Sequence, residues 1–255
     1  FDSKQIYKIY DKLRIFKNGN VRYCLWLKDA PLNEIRHIPF IQERIERVKN
    51  FRLSSSKART KHWANFPTLF SEDRQPNTRY LMFPKVSSER RKYIPFAYVE
   101  PEFIVNNTAS FIPNATHFIF GILESKMHMT WMSYVCGRMK SDYIYSNKIV
   151  YNNFPWPENP SDKQIKTIEE KAQNILDVRA SFPKYSLADL YNPLTMPPAL
   201  VKAHNELDKA VDAAYSKQAF TSEAKRMEFL FELYEKYTAN LFAKEQPKKT
   251  KKTDI

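Results

Sequence analysis

The residues with the clearest chemical potential in this chain follow Gly137, the last of its three glycines. This segment is rich in hydrogen-bond donors, and its pattern predicts an extended backbone. In an extended segment, Lys140 and Asp142 are alternate residues and project from the same face. Lysine donates to the O6 and N7 atoms of guanine, and aspartate accepts from the N4 amine of cytosine. The pair is therefore suited to read one G·C base pair, and the alternative is an exposed ion pair worth about 0–1 kcal/mol.

Positive charge is concentrated in the part of the sequence that contains this pair. Residues 1–157 have a net charge of +12, residues 158–247 have −2, and the last eight residues add +3. A basic region of this kind favours a polyanionic partner. The stretches RLSSSKARTKH and SSERRKY combine hydroxyl groups with cations, which suits phosphate contact. The residues concerned are Arg52, Lys57, Arg59, Lys61, Ser87, Ser88, Arg90 and Arg91.

The hydrophobic pattern of residues 1–157 predicts the elements that position these side chains. Short alternating segments are interrupted by prolines, which predicts an irregular, twisted, mostly antiparallel sheet accompanied by helices. A β-hairpin is expected around Asn18–Gly19. An amphipathic helix is expected over residues 40–51, and a mostly buried helix over residues 122–135. The fold class is therefore α+β.

The pattern changes after residue 157 from alternating segments to helical spacing. Residues 158–246 predict a small all-α domain of three antiparallel helices, each with one apolar face. Ser161 and Gln164 have the spacing of a capping box, which predicts the start of the first helix. The basic residues 247–255 predict a disordered tail.

Common catalytic motifs are absent from the sequence. It contains no glycine-rich phosphate loop, no HExxH, no paired CxxC and no GxSxG. Cys24 and Cys136 lie in apolar surroundings without CxxC spacing, which favours a reducing, cytoplasmic location over a disulfide framework. No apolar run has the length of a membrane span. We therefore expect no catalytic residue, metal or cofactor within this chain, and no membrane partner.

Two other classes of protein are alternatives at this point. An enzyme could assemble its active site from dispersed residues such as Asp73, His62 and Glu89. A scaffold domain could instead use the basic surface to bind an acidic protein partner. His128 and His204 lie on predicted helices, where packed or surface histidines are more common than metal ligands.

Several longer stretches resemble the C-terminal portion of the MmeI-like family of type IIL restriction-modification enzymes. They are RYCLWL, PKVSSERRKYIP, FGILESKMHMTWM, GRMKSDYIYS, VYNNFPWP and SLADLYNPLTMPPALVKAHNELDKAVDAAY. The resemblance implies a DNA target recognition domain over residues 1–157 and a helical C-terminal domain over residues 158–246. It also implies a bacterial polypeptide whose other domains are an endonuclease and an adenine-N6 methyltransferase, with S-adenosylmethionine and Mg²⁺ bound outside this chain. The first residue, Phe1, is not a methionine, so we expect a piece of a longer protein.

The resemblance also implies roles for individual residues. Lys140 and Asp142 match a pair that reads one base pair of the DNA site, and this combination implies a G in the recognised strand. Ile144 matches half of a second specificity pair, whose other half lies near Thr108. Isoleucine cannot donate to guanine, so any contact of Ile144 would be apolar. Contacts to the DNA backbone or to neighbouring bases are expected from Arg138, Ser141, Tyr143, Ser146, Ser87, Ser88, Arg90 and Arg91, and from Arg52, Lys57, Arg59 and Lys61.

Overall fold

The computed structural model describes residues 6–10 and 22–242. Its strands are β1 (Ile6–Tyr10), β2 (Arg22–Leu25), β3 (Tyr80–Pro84), β4 (Val86–Ser87), β5 (Ala97–Val99), β6 (Phe103–Val105), β7 (Ala109–Pro113), β8 (Gly137–Met139) and β9 (Asp142–Ile144). Its α-helices are α1 (Leu32–Ile35), α2 (Pro39–Leu53), α3 (Ala58–His62), α4 (His117–Leu123), α5 (Lys126–Val135), α6 (Asp162–Ala180), α7 (Leu187–Leu190), α8 (Pro198–Tyr215) and α9 (Glu223–Phe242). A 3₁₀ turn spans Trp63–Asn65, and a π-helix spans Asn147–Tyr151.

The described strands form three small sheets, with strand orders β2-β1-β6, β5-β3-β7 and β4-β9-β8. Every pairing in them is antiparallel except the parallel pairing of β1 with β6. The predicted α+β class with mostly antiparallel strands is confirmed. β1 and β2 pair antiparallel. The hairpin turn predicted at Asn18–Gly19 and the tail predicted over residues 247–255 both lie outside the described residues.

The largest hydrophobic cluster among the described residues joins β3, in the second sheet, to the C-terminal helices. Leu81 on β3 and Ile122 on α4 belong to the same buried cluster as Ile168 on α6 and Leu207 on α8, and all four side chains are 0% exposed. Burial of such apolar side chains is the main stabilising contribution to a fold of this size. The change of pattern near residue 157 therefore separates two kinds of secondary structure that share one core.

Side-chain caps determine where several helices begin. The single helix predicted over residues 122–135 is two helices, because the Ser125 hydroxyl accepts a hydrogen bond from the His128 backbone N–H and starts α5 directly after α4. The predicted capping box of Ser161 and Gln164 opens α6, and both of its hydrogen bonds are formed. Capping hydrogen bonds of this kind can be predicted from the sequence because they join residues that are three apart in the chain.

A buried polar network crosses from the strand-rich part to the C-terminal helices. Glu124 and Arg179 form an ion pair with 2.5 Å between Oε1 and Nη2. The same carboxylate accepts from the Phe96 backbone N–H at 2.8 Å, and Arg179 donates to the Phe96 carbonyl at 2.7 Å. The Tyr191 hydroxyl lies 2.8 Å from Nε2 of His204. Burial raises the pKa of Glu124, while the Arg179 charge opposes that shift.

The same face of α8 makes a second buried contact. His204 and Asp208 are four residues apart and therefore neighbours on one side of the helix. The Tyr93 hydroxyl donates to Asp208 Oδ2 at 2.7 Å, and the Lys126 backbone N–H donates to Oδ1 at 2.7 Å. These contacts explain the AHNELD spacing, because both polar side chains bond groups from the strand-rich part of the chain. His204 is fully buried, so of the two predicted alternatives, a packed or a surface histidine, it is the packed one.

Gly121 provides a direct test of the packing between α4 and α6. A Cβ atom at this position would lie 2.7 Å from Ile168 Cγ2 and 3.3 Å from Ala172 Cβ. We expect Gly121→Ala to lower the free energy of unfolding by about 1–3 kcal/mol, because overpacking outweighs the better helix propensity of alanine. Urea unfolding would measure this effect. Gly137→Ala is the control, since its nearest contact would be an ordinary 3.9 Å; equal stability of the two variants would contradict the prediction.

Candidate nucleic-acid interface

The third sheet brings two of the predicted contact segments together. β4, at the start of the SSERRKY stretch, pairs with β9 in the register Val86↔Ile144 and Ser87↔Tyr143. β9 also pairs with β8, and we call this unit, residues 137–144, the hairpin. Its register is Gly137↔Ile144, Arg138↔Tyr143 and Met139↔Asp142, which leaves Lys140 and Ser141 as a two-residue loop.

Lys140 lies at the tip of the hairpin and not on a strand, so the prediction of an extended segment through this residue was wrong. Its φ of 55° is in the left-handed region, which two-residue hairpin loops favour but which is sterically costly for a residue with a Cβ. Lys140 is exposed and Asp142 is half-buried. Among residues 22–242, no ion pair joins the two, so the alternative of a surface ion pair is not observed. The nearby charge that acts on Asp142 is that of Arg91.

The register divides the hairpin sheet into two faces, because directly opposite residues in an antiparallel pair project to the same side. The outer face carries Met139, Asp142 and Ile144. The inner face carries Arg138 and Tyr143, and Tyr143 packs against the main core. The outer face therefore presents one carboxylate between apolar side chains. Half-buried Ile144 also borders a cleft.

Arg138 holds the hairpin in place from the inner face. Its guanidinium carbon lies 4.3 Å from the centre of the Tyr143 ring. Nη1 donates to the Ser141 carbonyl at 3.0 Å and to Glu89 Oε2 at 3.3 Å, and Nη2 donates to the Ser133 carbonyl at 3.4 Å. Three surrounding segments thus converge on one side chain. The sequence did not indicate this positioning role of Arg138. The exposed part of its guanidinium remains accessible to a phosphate.

The SSERRKY stretch divides into buried and exposed groups. Ser87 is only 3% exposed and lies within hydrogen-bond range of Arg91 Nη1 at 3.5 Å, so its predicted contact with DNA is wrong. Pairing of β4 with β9 is the cause, because it places Ser87 on the inner face. Burial lowers the pKa of Arg91, and the nearby charge of Asp142 opposes that shift. Ser88 is half-buried, and Arg90 is the exposed arginine of the stretch.

The basic stretch around α3 has internal contacts that the sequence did not reveal. Arg52 donates to the carbonyls of Trp63 and Phe66 at 2.8 Å each, and to that of Leu69 at 2.7 Å. An arginine in the last turn of a helix is the signal that could have indicated this, since it can reach carbonyls beyond the helix end. Arg52 thus stabilises the segment after α3, and its phosphate contact remains a prediction.

Three more cations of this stretch remain on the surface. Arg59 faces Glu72 with 3.4 Å between Nη2 and Oε1, whereas Lys57 and Lys61 are exposed. Of the predicted phosphate contacts in this stretch, these two lysines are the ones best placed to meet an external partner.

Backbone hydrogen bonds of Lys85 connect Thr108 to Tyr145, the residue that follows the hairpin. The Lys85 backbone N–H donates to the Thr108 carbonyl at 3.1 Å, and the Lys85 carbonyl accepts from the Tyr145 N–H at 2.7 Å. An open cleft of about 850 Å³ lies beside them and is lined by Ile144, Ser146 and the residues next to Thr108. The predicted second specificity pair is therefore close to one cleft, although 35 positions separate Ile144 from Ala109, a lining residue.

The dispersed carboxylates and histidine of the enzyme alternative have separate partners. Asp73 pairs with Lys28, and Glu89 pairs with Arg138. His62 packs against Trp63 and Phe66. Within residues 22–242, no group of three histidine, cysteine or acidic side chains is arranged to hold a metal. No helix among the described residues combines the length and apolar content that a membrane span requires.

His128 is the other histidine that was predicted to be a packed or surface residue, and it is fully buried. Its Nε2 lies 2.8 Å from the Tyr145 hydroxyl, and burial lowers its pKa to about 3. It therefore remains neutral at physiological pH and positions Tyr145, the residue that follows the hairpin.

Comparison with known proteins gives matches along almost the whole chain. The model of the MmeI target recognition domain matches residues 5–158, and that of the MmeI C-terminal domain matches residues 160–242. DNA methyltransferase A of Bacillus subtilis (strain 168) is 42% identical over 223 residues, which are 88% of this chain and 25% of that protein. The structure of the type IIL restriction-modification enzyme MmeI in complex with DNA is 44% identical, with a TM-score of 0.89.

That structure matches 93% of this chain, which in turn covers 31% of the MmeI chain. The chain thus spans between a quarter and a third of the length of these relatives. The resemblance seen in the sequence is confirmed, and the chain belongs to the MmeI family, with a match to its target recognition domain followed by a match to its C-terminal domain.

Proposed function

We propose that this chain is the sequence-reading part of a DNA restriction-modification enzyme and recognises one site in double-stranded DNA. The observation that carries the proposal is the hairpin tip, where Lys140 and Asp142 are accessible and not paired with each other. The MmeI structure, which contains DNA, supports a nucleic-acid partner over an acidic protein partner. A two-stranded β-ribbon fits the major groove of B-DNA, so the hairpin has a suitable shape.

Base reading is assigned to the tip. The Lys140 ammonium donates to guanine O6 and N7, and the Asp142 carboxylate accepts from the cytosine N4 amine of the same base pair. Because the two groups carry opposite charge and lie two residues apart at the hairpin tip, a reversed base pair would face each of them with the wrong partner. Thr108 and Ile144, beside the cleft, form the second proposed reading pair.

Phosphate contacts hold the protein in register on the duplex. We assign them to the exposed cations Arg90, Lys57 and Lys61, with Arg138 behind the tip. Exposed Ser141 and half-buried Ser146, at opposite ends of the second hairpin strand, can donate hydroxyl hydrogen bonds to nearby phosphates or bases. Such contacts supply affinity and orientation, whereas the tip supplies the choice of sequence.

Chemistry on DNA is assigned to other domains of the same polypeptide. The relatives are a DNA methyltransferase and a restriction-modification enzyme, and both are three to four times longer than the matched region. We propose that a methyltransferase domain, which binds S-adenosylmethionine, modifies adenine N6, and that an endonuclease domain uses Mg²⁺. The described residues have neither a metal-binding cluster nor a glycine-rich loop that would suit those groups. The location proposed for the enzyme is the bacterial cytoplasm.

Arg90 provides a test of the phosphate contacts. Each phosphate that a protein neutralises makes the logarithm of the affinity fall more steeply with the logarithm of the salt concentration, by about 0.9 for B-DNA. We expect Arg90→Ala in the full-length protein to reduce that slope by about 1, with equal loss of affinity for all sequences. Fluorescence anisotropy across a salt series would measure it. Lys202→Ala, at an exposed position of α8, is the control; an Arg90→Ala slope equal to the control slope would contradict the assignment.

The substitution Lys140→Gly tests whether Lys140 contributes to base preference independently of its effect on the stability of the hairpin tip. Glycine removes the left-handed strain at φ 55° but adds freedom to the unfolded chain, so the free energy of unfolding should change little. The donor is lost, so preference at one base pair should fall by about 1–3 kcal/mol. Competition between duplexes that differ at one position would show this loss. An unchanged preference in a stably folded Lys140→Gly protein would remove Lys140 from the reading pair.

A further inference from the structure

An exposed methionine lies on the outer face of the hairpin, and the proposed base contacts do not use it. Met139 is 56% exposed, whereas Met82, Met127 and Met132 are at most 1% exposed. It lies directly opposite Asp142 in the β8–β9 register, so the two side chains project from the same face. Met139 matters because its neighbours on the same face are also apolar, so that together they offer a contiguous apolar contact to a partner.

The surroundings of Met139 make this face apolar except for the carboxylate. Ile144 projects to the same side as Asp142, and Val86 is paired with Ile144 from β4. Gly137, opposite Ile144, has no side chain, and the nearest atom to a Cβ built there would be Ile144 Cβ at 3.9 Å. The strand residues of the outer face therefore form a strip of apolar groups around the Asp142 carboxylate, which the Arg91 charge approaches.

The distance between side chains on this strip is similar to the distance between successive base pairs of a duplex. Directly opposite residues of an antiparallel pair are roughly 4.5–5.5 Å apart, and successive base pairs are about 3.4 Å apart. A duplex that places one base pair at Asp142 therefore brings a neighbouring base pair within reach of the flexible Met139 side chain. Methionine is unbranched and polarisable, so it adapts to small apolar groups of varied position.

The apolar group that base edges present in the major groove is the C5-methyl group of thymine. We infer that Met139 contacts the C5-methyl group of a pyrimidine in the base pair next to the one read by Lys140 and Asp142. The inference rests on the proposed function, because it needs the hairpin tip in the major groove. Thymine and 5-methylcytosine both carry this group, and Met139 is thus a further specificity-determining residue.

The test measures binding of the full-length protein to duplexes that contain its recognised site. Each thymine of the site and its flanks is replaced in turn by deoxyuridine, and each cytosine by 5-methylcytosine. We expect a single position, adjacent to the base pair read by the tip, at which the methyl group strengthens binding about fourfold, the effect of burying one methyl-sized group. Met139→Ala should abolish this difference and retain the G·C preference, whereas Met139→Leu should keep most of it. Leu194→Ala, at a side chain that is 86% exposed in the helical part, is the matched control and should change neither.

Two results would overturn the inference. One is a native protein whose affinity is indifferent to the methyl group at every position. The other is a Met139→Ala protein with the same methyl dependence as the native protein. In either case an intact G·C preference would leave the proposed function standing. A native protein without preference at any base pair would instead refute the proposed function itself, and with it the role of Met139.

Discussion

Exchange of the two charges at the hairpin tip, Lys140→Glu with Asp142→Arg, is expected to invert the preferred base pair at one position of the DNA site. The glutamate would accept from cytosine N4 where the lysine donated, and the arginine would donate to guanine O6 and N7 where the aspartate accepted. A good contact of this kind discriminates by about 1–3 kcal/mol, which is roughly 5-fold to 150-fold in affinity. Sequencing of duplexes retained from a randomised pool by the full-length protein would measure the preference.

Controls separate base reading from a general effect of charge. Either single substitution should weaken the native preference without creating the inverted one. The double variant Lys166→Glu with Glu170→Arg makes the same exchange of charge at exposed positions of α6, four residues apart, and should leave the preference unchanged. If the tip exchange also left it unchanged, the assignment of Lys140 and Asp142 would be wrong.

Loss of Arg179 should be the most destabilising single change among those considered for the described residues. Arg179→Met leaves the Glu124 carboxylate buried without its cation, and removal of one partner of a buried pair costs about 3–5 kcal/mol. Because the network also includes Phe96 and Tyr191, we expect the strand-rich part and the C-terminal helices to lose stability together. Urea unfolding followed by circular dichroism and by tryptophan fluorescence should give coincident transitions at lower urea.

A matched pair of variants tests the cause of that loss. Lys171→Met breaks a more exposed ion pair with Glu206, 2.8 Å long, and should change stability little because solvent screens such pairs. Glu124→Leu combined with Arg179→Met removes both buried charges and should recover much of the lost stability. Equal effects of Arg179→Met and Lys171→Met would show that the buried network does not stabilise the fold.

Features that depend on near neighbours in the chain were predictable from sequence. The capping box of Ser161 and Gln164 formed as expected, because its two hydrogen bonds join residues three apart. The helices of residues 158–242 follow the apolar spacing for the same reason.

Features that depend on distant strands were not predictable in detail. Lysine is not a typical residue for a left-handed φ, so nothing local to Lys140 indicated the tight loop that the pairing of β8 with β9 imposes. Ser87 became buried through pairing with a strand more than fifty positions away. The carbonyls that Arg52 binds also lie beyond its own helix. For Ser87 and Arg52, contacts outside the local segment placed a side chain whose type alone suggested a phosphate contact.

Disulfide crosslinking is the most direct measurement of whether the hairpin tip enters the major groove. Lys140→Cys in the full-length protein would be combined with duplexes that carry a thiol tether on cytosine N4 at successive positions of the site. Native protein, with half-buried Cys24 and Cys136, and Lys202→Cys are the controls. Crosslinking that is confined to one or two adjacent base pairs, and absent from both controls, is the predicted result. Yields no higher than those of Lys202→Cys, or spread evenly along the duplex, would contradict base reading by the hairpin.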